Sequence, residues 1–251
     1  MKFYFLVIAF TLSASTVQAQ KKEDTLSYSS WKKYSDKVQS GTNKYLQYFT
    51  DSLGQVLRIN TFKTRTVKQD PANANILWVI QRYNKAKGNE IETDTAFINK
   101  VDFSPLAYHT DIQSAGYKEV VQFTQDSIYT SVFYKDSTKH VSYPSSPDYF
   151  IATTMEDMMG MLPLKIGYTV VVKNVNPGVR HNTTNYKVSV VRKEKIQLSD
   201  HSTREAYLVE AGFPAFKSYS QYWFSVDKQL MLKHSFKMRD GSFFIEERLM
   251  P

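Results

Sequence analysis

YWFSVDKQLMLKHSFKMRDGSFFIEERL, residues 222–249, packs aromatic and β-branched side chains into strand-length runs that break at Arg239-Asp240-Gly241-Ser242. Such residues favour a pleated, half-buried surface, and Asp-Gly between two of these runs is a hairpin signal. A two-residue type I′ turn at Asp240-Gly241 sets Arg239 against Ser242. It then pairs Met238 with Phe243, Phe236 with Ile245, His234 with Glu247 and Leu232 with Leu249. His234 and Glu247 are thereby expected opposite one another on an otherwise apolar face. They would form either a polar pair that satisfies itself inside the protein or a polar handle on the wall of an apolar pocket.

Outward from this hairpin the same texture continues. Strand-like runs are expected at residues 168–174, 186–196, 205–211 and 219–226. In the first half they fall at 44–50, 53–67, 76–80, 91–98, 119–124 and 127–134. Asp51-Ser52-Leu53-Gly54 reads as a hairpin turn, with Leu53, Leu57, Ile59 and Thr61 on one face of the second strand and Arg58 and Asn60 on the other. Ile76-Leu77-Trp78-Val79-Ile80 is apolar throughout, as in a strand covered on both faces. Tyr and Phe together supply 33 residues, 17 and 16, which suits broad sheets curling around an interior.

One segment breaks the β pattern. Met155-Glu156-Asp157-Met158-Met159-Gly160-Met161 holds four of the eight methionines. Ile151, Met155, Met158, Met159 and Leu162 recur at helical spacing, which predicts a helix over residues 151–162 that ends at Pro163. Its start is marked by Ser146 and Pro147, or one turn later by a Thr153-x-x-Glu156 capping box. A methionine face adapts to irregular apolar surface, so it is read first as packing, with a ligand-facing role left open. The fold class expected is all-β: a curved antiparallel sheet or partly open β-barrel with this one short helix packed on its concave side.

The N-terminus MKFYFLVIAFTLSASTVQAQ has one early charge, an apolar run over residues 3–12, and small residues at Val17-x-Ala19. That is the pattern of a secretory signal peptide over residues 1–19, since the run is too short to cross a hydrocarbon core of roughly 30 Å. Residues 20–251 are then read as a single β-rich domain. It has a polar lead-in over about 20–40 and a weak internal boundary near 143–147. No later stretch approaches eighteen apolar residues, so the chain is not expected to span a membrane as a helix. The absence of Cys excludes an N-terminal lipid-anchoring cysteine and fits an exported protein of a bacterial periplasm or envelope, held by its core rather than by disulfides.

The formal charge of +8 becomes +7 once Lys2 leaves with the signal. This permits attraction to anionic envelope material such as lipid head groups. Lys21, Lys22, Lys32, Lys33, Arg58, Lys63, Arg65, Arg192 and Lys193 are scattered and alternate with other residues, so they read as solvated strand faces and not as a nucleic-acid site. Asn182-Thr183-Thr184 reads as a polar loop, and so does Ser199-Asp200-His201-Ser202, because adjacency along a chain does not build a triad.

Residues 161–172, MLPLKIGYTVVV, followed by EAYLVEAG and then by the stretch quoted first, resemble an uncharacterised family of exported bacterial proteins, the domain of unknown function 3108 family. There a Leu-Pro-Leu-x-x-Gly-Tyr segment precedes the last strands and the closing hairpin region carries a Tyr-Trp pair. The matching residues are Leu162, Pro163, Leu164, Gly167 and Tyr168, then Tyr222 and Trp223. The resemblance covers about the C-terminal half. It implies a curved antiparallel sheet or open barrel in the envelope, similar in outline to periplasmic carriers of lipid or lipoprotein.

His109, His140, His181, His201 and His234 show no metal-ligand spacing, and no nucleophile elbow, P-loop or dinucleotide fingerprint occurs. No cofactor, metal or catalytic residue is expected. The leading expectation is a non-catalytic binding or carrier module for a lipid or other apolar, acyl-bearing ligand, with His234, Glu247, Met155, Met158, Met159, Trp223 and Phe236 as the binding residues. The alternative is an envelope interaction or assembly factor whose interior is simply packed. A hydrolase with an unrecognised site comes last.

Overall fold

The computed structural model describes residues 24–250 apart from 87, 146–147, 177–181 and 217. The expected signal segment, His181 and the Ser146-Pro147 start signal lie outside the described residues. The first half contains β1 (Asp24–Leu26), a short helix α1 (Tyr28–Trp31), β2 (Gly41–Thr50), β3 (Val56–Gln69), β4 (Ile76–Asn84), β5 (Glu90–Asn99), β6 (Pro105–Ile112), β7 (Tyr117–Phe123), β8 (Ser127–Tyr134) and β9 (Thr138–Pro144). The second half contains β10 (Tyr149–Ile151), α2 (Met155–Met161), β11 (Thr169–Asn176), β12 (Asn182–Gln197), β13 (Thr203–Phe213), β14 (Ser218–Ser225), β15 (Met231–Lys237) and β16 (Phe243–Leu249).

All of these strands belong to one curved sheet, ordered β1-β11-β12-β13-β14-β15-β16-β2-β3-β4-β5-β6-β7-β8-β9, with β10 also on β11. Neighbours are antiparallel except β1 and β10, which run parallel to β11. Among the described residues the sheet does not close: β9 ends one edge, and β1 and β10, both on β11, form the other. The all-β architecture, a curved sheet in the shape of an open barrel, is thus the one read from the strand pattern.

Burial alternates with period two along the concave face, for example at Leu77 and Val79 on β4 and Ala96 and Ile98 on β5. Residues 76–80 are accordingly not covered on both faces, since Ile76, Trp78 and Ile80 are only half-buried. Strands β1, β6, β9 and β10 had no matching expectation. Residues 182–184 begin β12 and do not form a loop.

The lead-in is less polar in its role than in its composition. Ser27 caps α1 in a capping box with Ser30, and the helix buries Trp31 completely. That indole packs on Phe103 at 5.4 Å and Phe150 at 5.8 Å, closing one end of the core. The described residues therefore hold two short α-helices where one was expected. The second is also shorter than its periodicity suggested: Ile151 pairs with Val175 in the sheet, residues 152–154 form a 3-10 turn, and α2 begins at Met155. No capping box forms at Thr153, because the Glu156 carboxylate is drawn to Lys63 instead.

The closing hairpin departs from its expected register. Met238 N–H donates to Ser242 O at 2.8 Å across a three-residue loop, Arg239-Asp240-Gly241. Gly241 alone there has a positive φ, +87°, whereas a type I′ turn needs Asp240 there too. The pairing consequently shifts by one residue, to His234 with Glu246 and Lys233 with Glu247. A one-residue slip reverses which face a side chain takes, so Glu247 does not face His234.

Candidate functional site

The concave face gathers charge around α2. Strand alternation turns Lys63 and Arg65 of β3 inward, each only 2% exposed, so the reading of these two as solvated surface is corrected. Lys63 Nζ donates to Glu156 Oε1 at 2.7 Å and also contacts Glu246. Arg65 binds both oxygens of Asp157, one through Nε at 3.3 Å, and donates to the Thr153 carbonyl at 2.8 Å. Gln47 donates to Glu246 at 2.5 Å and accepts from Thr61. The first turn of α2 supplies the acids Glu156 and Asp157, where the helix dipole also favours negative charge.

This cluster fastens the helix to the sheet. Taking a charge out of water costs several kcal/mol, recovered only with close partners and further hydrogen bonds. Burial pushes the Glu156 carboxyl up, but Lys63 and Arg65 outweigh it and hold the group at about 2. For Glu246 burial and the neighbouring Glu156 prevail over Lys63, and its carboxyl is raised. Of the two acids sharing Lys63, Glu246 is the first to take a proton.

His234 lies beyond this cluster, stacked on Tyr222 at 4.2 Å with the rings parallel and near Phe236 at 5.6 Å. Burial lowers it to about 4, so it is neutral at pH 7. Its Nε2 has no hydrogen-bond partner among the described residues. A second polar group sits further round, where Tyr108 at 2.9 Å and Thr110 at 2.6 Å donate to Asp94. Burial and Asp94 raise the half-buried Glu92 to about 7.

Little room remains inside. Beside Arg65, Glu156 and Asp157 a void of about 40 Å³ opens between Tyr45 and Met161, enough for a few waters. A larger cleft, about 360 Å³, lies at the seam between α1 and β10 on one side and the start of β6 and the end of β7 on the other. Tyr28, Pro105, Phe123 and Tyr149 form its apolar walls, with Ser104 and Gln125 at its polar margin. Tyr28 holds that seam by donating its hydroxyl to the Tyr149 carbonyl at 2.6 Å and its N–H to Asp148 at 2.7 Å.

The residues expected to bind a ligand are divided between the two faces. Met155, Met158 and Met159 are buried in the main core, and His234 and Phe236 are on the same concave side. Trp223 and Glu247 are on the convex side. The Trp223 indole N–H donates to Glu194 at 2.7 Å, and Glu247 accepts from the Tyr48 hydroxyl at 3.2 Å and from Ser199 N–H. The Leu198–Ser202 turn folds over that convex patch as a polar turn. Missing from the sequence reading were Lys63, Arg65, Glu246 and the acids of α2. Their one signal was positional, since Lys63 and Arg65 continue the alternation of Thr61 and share its face with Val67.

The family described as protein of unknown function (DUF3108) matches residues 44–248, from within β2 to within β16, and so well beyond the C-terminal half. No curated protein matches. Among solved structures, the chain is similar to a β-barrel-like protein of a domain of unknown function, DUF1849, from Brucella abortus. Sequence identity is 8%, the TM-score is 0.46, and the similarity covers 84% of this chain and 98% of that one. With the strands around α2 and both halves of the sheet inside the matched segment, the chain belongs to the DUF3108 family of proteins of unknown function.

Proposed function

We propose that this protein is an exported, non-catalytic binding module that takes an apolar or acyl-bearing ligand in the seam cleft and not in the barrel interior. The observation that carries this reading is the lining of the seam. Clefts of about 420 and 310 Å³ elsewhere are lined by Lys37, Asp227 and Lys228 and by Glu210 and Lys237. The seam cleft of about 360 Å³ is instead walled by Tyr28, Pro105, Phe123 and Tyr149, and only about 40 Å³ is open beside α2. Small-ligand sites begin near 300 Å³ and are mostly apolar with a few polar groups. No charged side chain lines the seam among the described residues, which suits an alcohol, ester or amide head. Export rests on the signal pattern of residues 1–19.

The test is titration with the neutral probe N-phenyl-1-naphthylamine and competition by a monoacylglycerol. Phe123→Arg, which puts a charge on the cleft wall, should weaken probe binding at least tenfold with little change in melting temperature. Probe binding that survives Phe123→Arg, or no binding by the wild type, would sink the reading. A second reading, an envelope interaction or assembly factor, is favoured by the filled interior. It would be supported by native mass spectrometry of protein from its own cells that finds a partner chain and no small ligand.

A further inference from the structure

The end of the sheet opposite the seam holds a feature that neither core nor cleft uses. β4 stops at Asn84, opposite Phe62, so residues 56–61 of β3 pair only with β2 among the described residues. The β2–β3 hairpin therefore projects as an arm, and residues 56–60 are exposed one after another rather than alternately. Four of its exposed side chains are large and apolar: Leu53 is 83% exposed, and Val56, Leu57 and Ile59 are 55–60% exposed. Register shifts on β3 bend the arm, pairing Ile59 with Tyr48 and Thr61 with Gln47, so Ile59 and Thr61 take opposite faces and not the shared one expected.

Beside the arm runs the β15–β16 hairpin. Phe236, Phe244, Phe49 and Arg58 form one row across the four strands, and Lys237, Phe243, Thr50 and Val56 form the next. Phe49 and Phe244 meet edge-on at 5.6 Å, and the Arg58 guanidinium lies 4.3 Å from the Phe49 ring. The two hairpin ends lie side by side, because β16 pairs with β2 up to Phe243 against Thr50. Arg58, Lys237 and Arg239 outnumber Asp51 and Asp240 there, on a chain of formal charge +8.

We propose that this arm docks the protein on the surface of an anionic lipid bilayer, with Leu53, Val56, Leu57 and Ile59 entering the interface and Arg58, Lys237 and Arg239 meeting the head groups. The geometry favours a surrounding medium over a flat partner. One protein face could cover one side of the arm, and a strand added to the β3 edge would leave both sides bare, whereas a bilayer interface wraps both. The unpaired backbone groups of β3 stay at head-group depth, where water can satisfy them. Apolar tips with adjoining cations are the usual means of interfacial binding.

The chain has no Cys, so Leu53→Cys gives a single attachment point for the fluorophore NBD. Ala72→Cys, in the turn before β4 at the opposite rim, is the control. Both full-length chains carry the apolar N-terminal segment, so only a response specific to position 53 reports on the arm. On vesicles of 70:30 phosphatidylcholine and phosphatidylglycerol, the label at 53 should shift to the blue and be quenched by lipids bearing a nitroxide near the head group, while the label at 72 stays unchanged. Adding Leu57→Asp and Ile59→Asp should reduce this partitioning about tenfold or more with the melting temperature unaltered. An unresponsive label at 53 in low salt would overturn the proposal. So would a response that appears without vesicles and tracks dimer formation, because the arm would then be covered by a second copy of the chain.

Discussion

Replacing Lys63 by Met removes the cation shared by Glu156 and Glu246. Glu156 retains Arg65, whose Nε is 3.5 Å away. Among the described residues Glu246 retains only Gln47 and must either stay charged in the core or take a proton. Protonation sets a ceiling on the penalty. Starting from the ordinary value of 4.5, neutralising the group at pH 7 costs about 3.4 kcal/mol, at about 1.36 kcal/mol per pH unit. At pH 5.5 the same ceiling is about 1.4 kcal/mol. An acid whose folded value lies above its unfolded one loses stability as pH rises from the unfolded value, so the variant should be weaker at pH 7 than at pH 5.5. Because burial already raises Glu246 in the parent protein, urea unfolding should give a loss of up to about 3 kcal/mol at neutral pH that shrinks by up to about 2 kcal/mol at pH 5.5. Lys63→Met with Glu246→Gln should recover most of the loss and remove its pH dependence, because no lone charge remains. A loss under about 1 kcal/mol that is the same at both pH values would match an exposed ion pair and refute the reasoning.

Three further predictions follow the same lines. His234 is held near 4 against an ordinary 6.5, so the unfolded chain binds the extra proton and stability should fall as pH drops from 6.5 toward 4; His234→Leu should flatten that part of the profile in thermal melts. Glu247→Ala strands the Ser199 N–H and should cost about 1 to 3 kcal/mol. Because Glu247 and His234 take opposite faces, the two substitutions should add, and a coupling above about 0.5 kcal/mol would restore the register in which they meet. Met158→Ala opens a cavity under α2 and should cost about 2 to 5 kcal/mol by chemical denaturation, whereas Leu53→Ala on the exposed arm should change stability by less than about 0.5 kcal/mol.

Several features of the fold were legible in local pattern. Runs of aromatic and β-branched residues between turn signals marked most strands, and β8 and β16 carry the bounds expected from them. The helical spacing of Met155, Met158 and Met159 marked a buried stripe. These properties depend on residues a few positions apart, which is the range over which period and propensity act. Strand β6 escaped because its sequence, PLAYHTDI, mixes polar and apolar residues without a regular period. Its place in the sheet comes from β5 and β7 on either side.

What only the tertiary structure decided were the register of the last hairpin and the fate of charges. Asp240-Gly241 is compatible with a two-residue turn or with a three-residue loop that has only Gly241 at positive φ, and the choice reverses the face of every residue beyond it. Lys63 and Arg65 have the same composition and spacing whether the face they occupy is wet or dry. Their burial is settled by Glu156 and Asp157, more than ninety positions away and brought across the sheet by α2. A buried charge is stable only beside its counter-charge, and for these residues that counter-charge is placed by the fold and not by the neighbouring sequence.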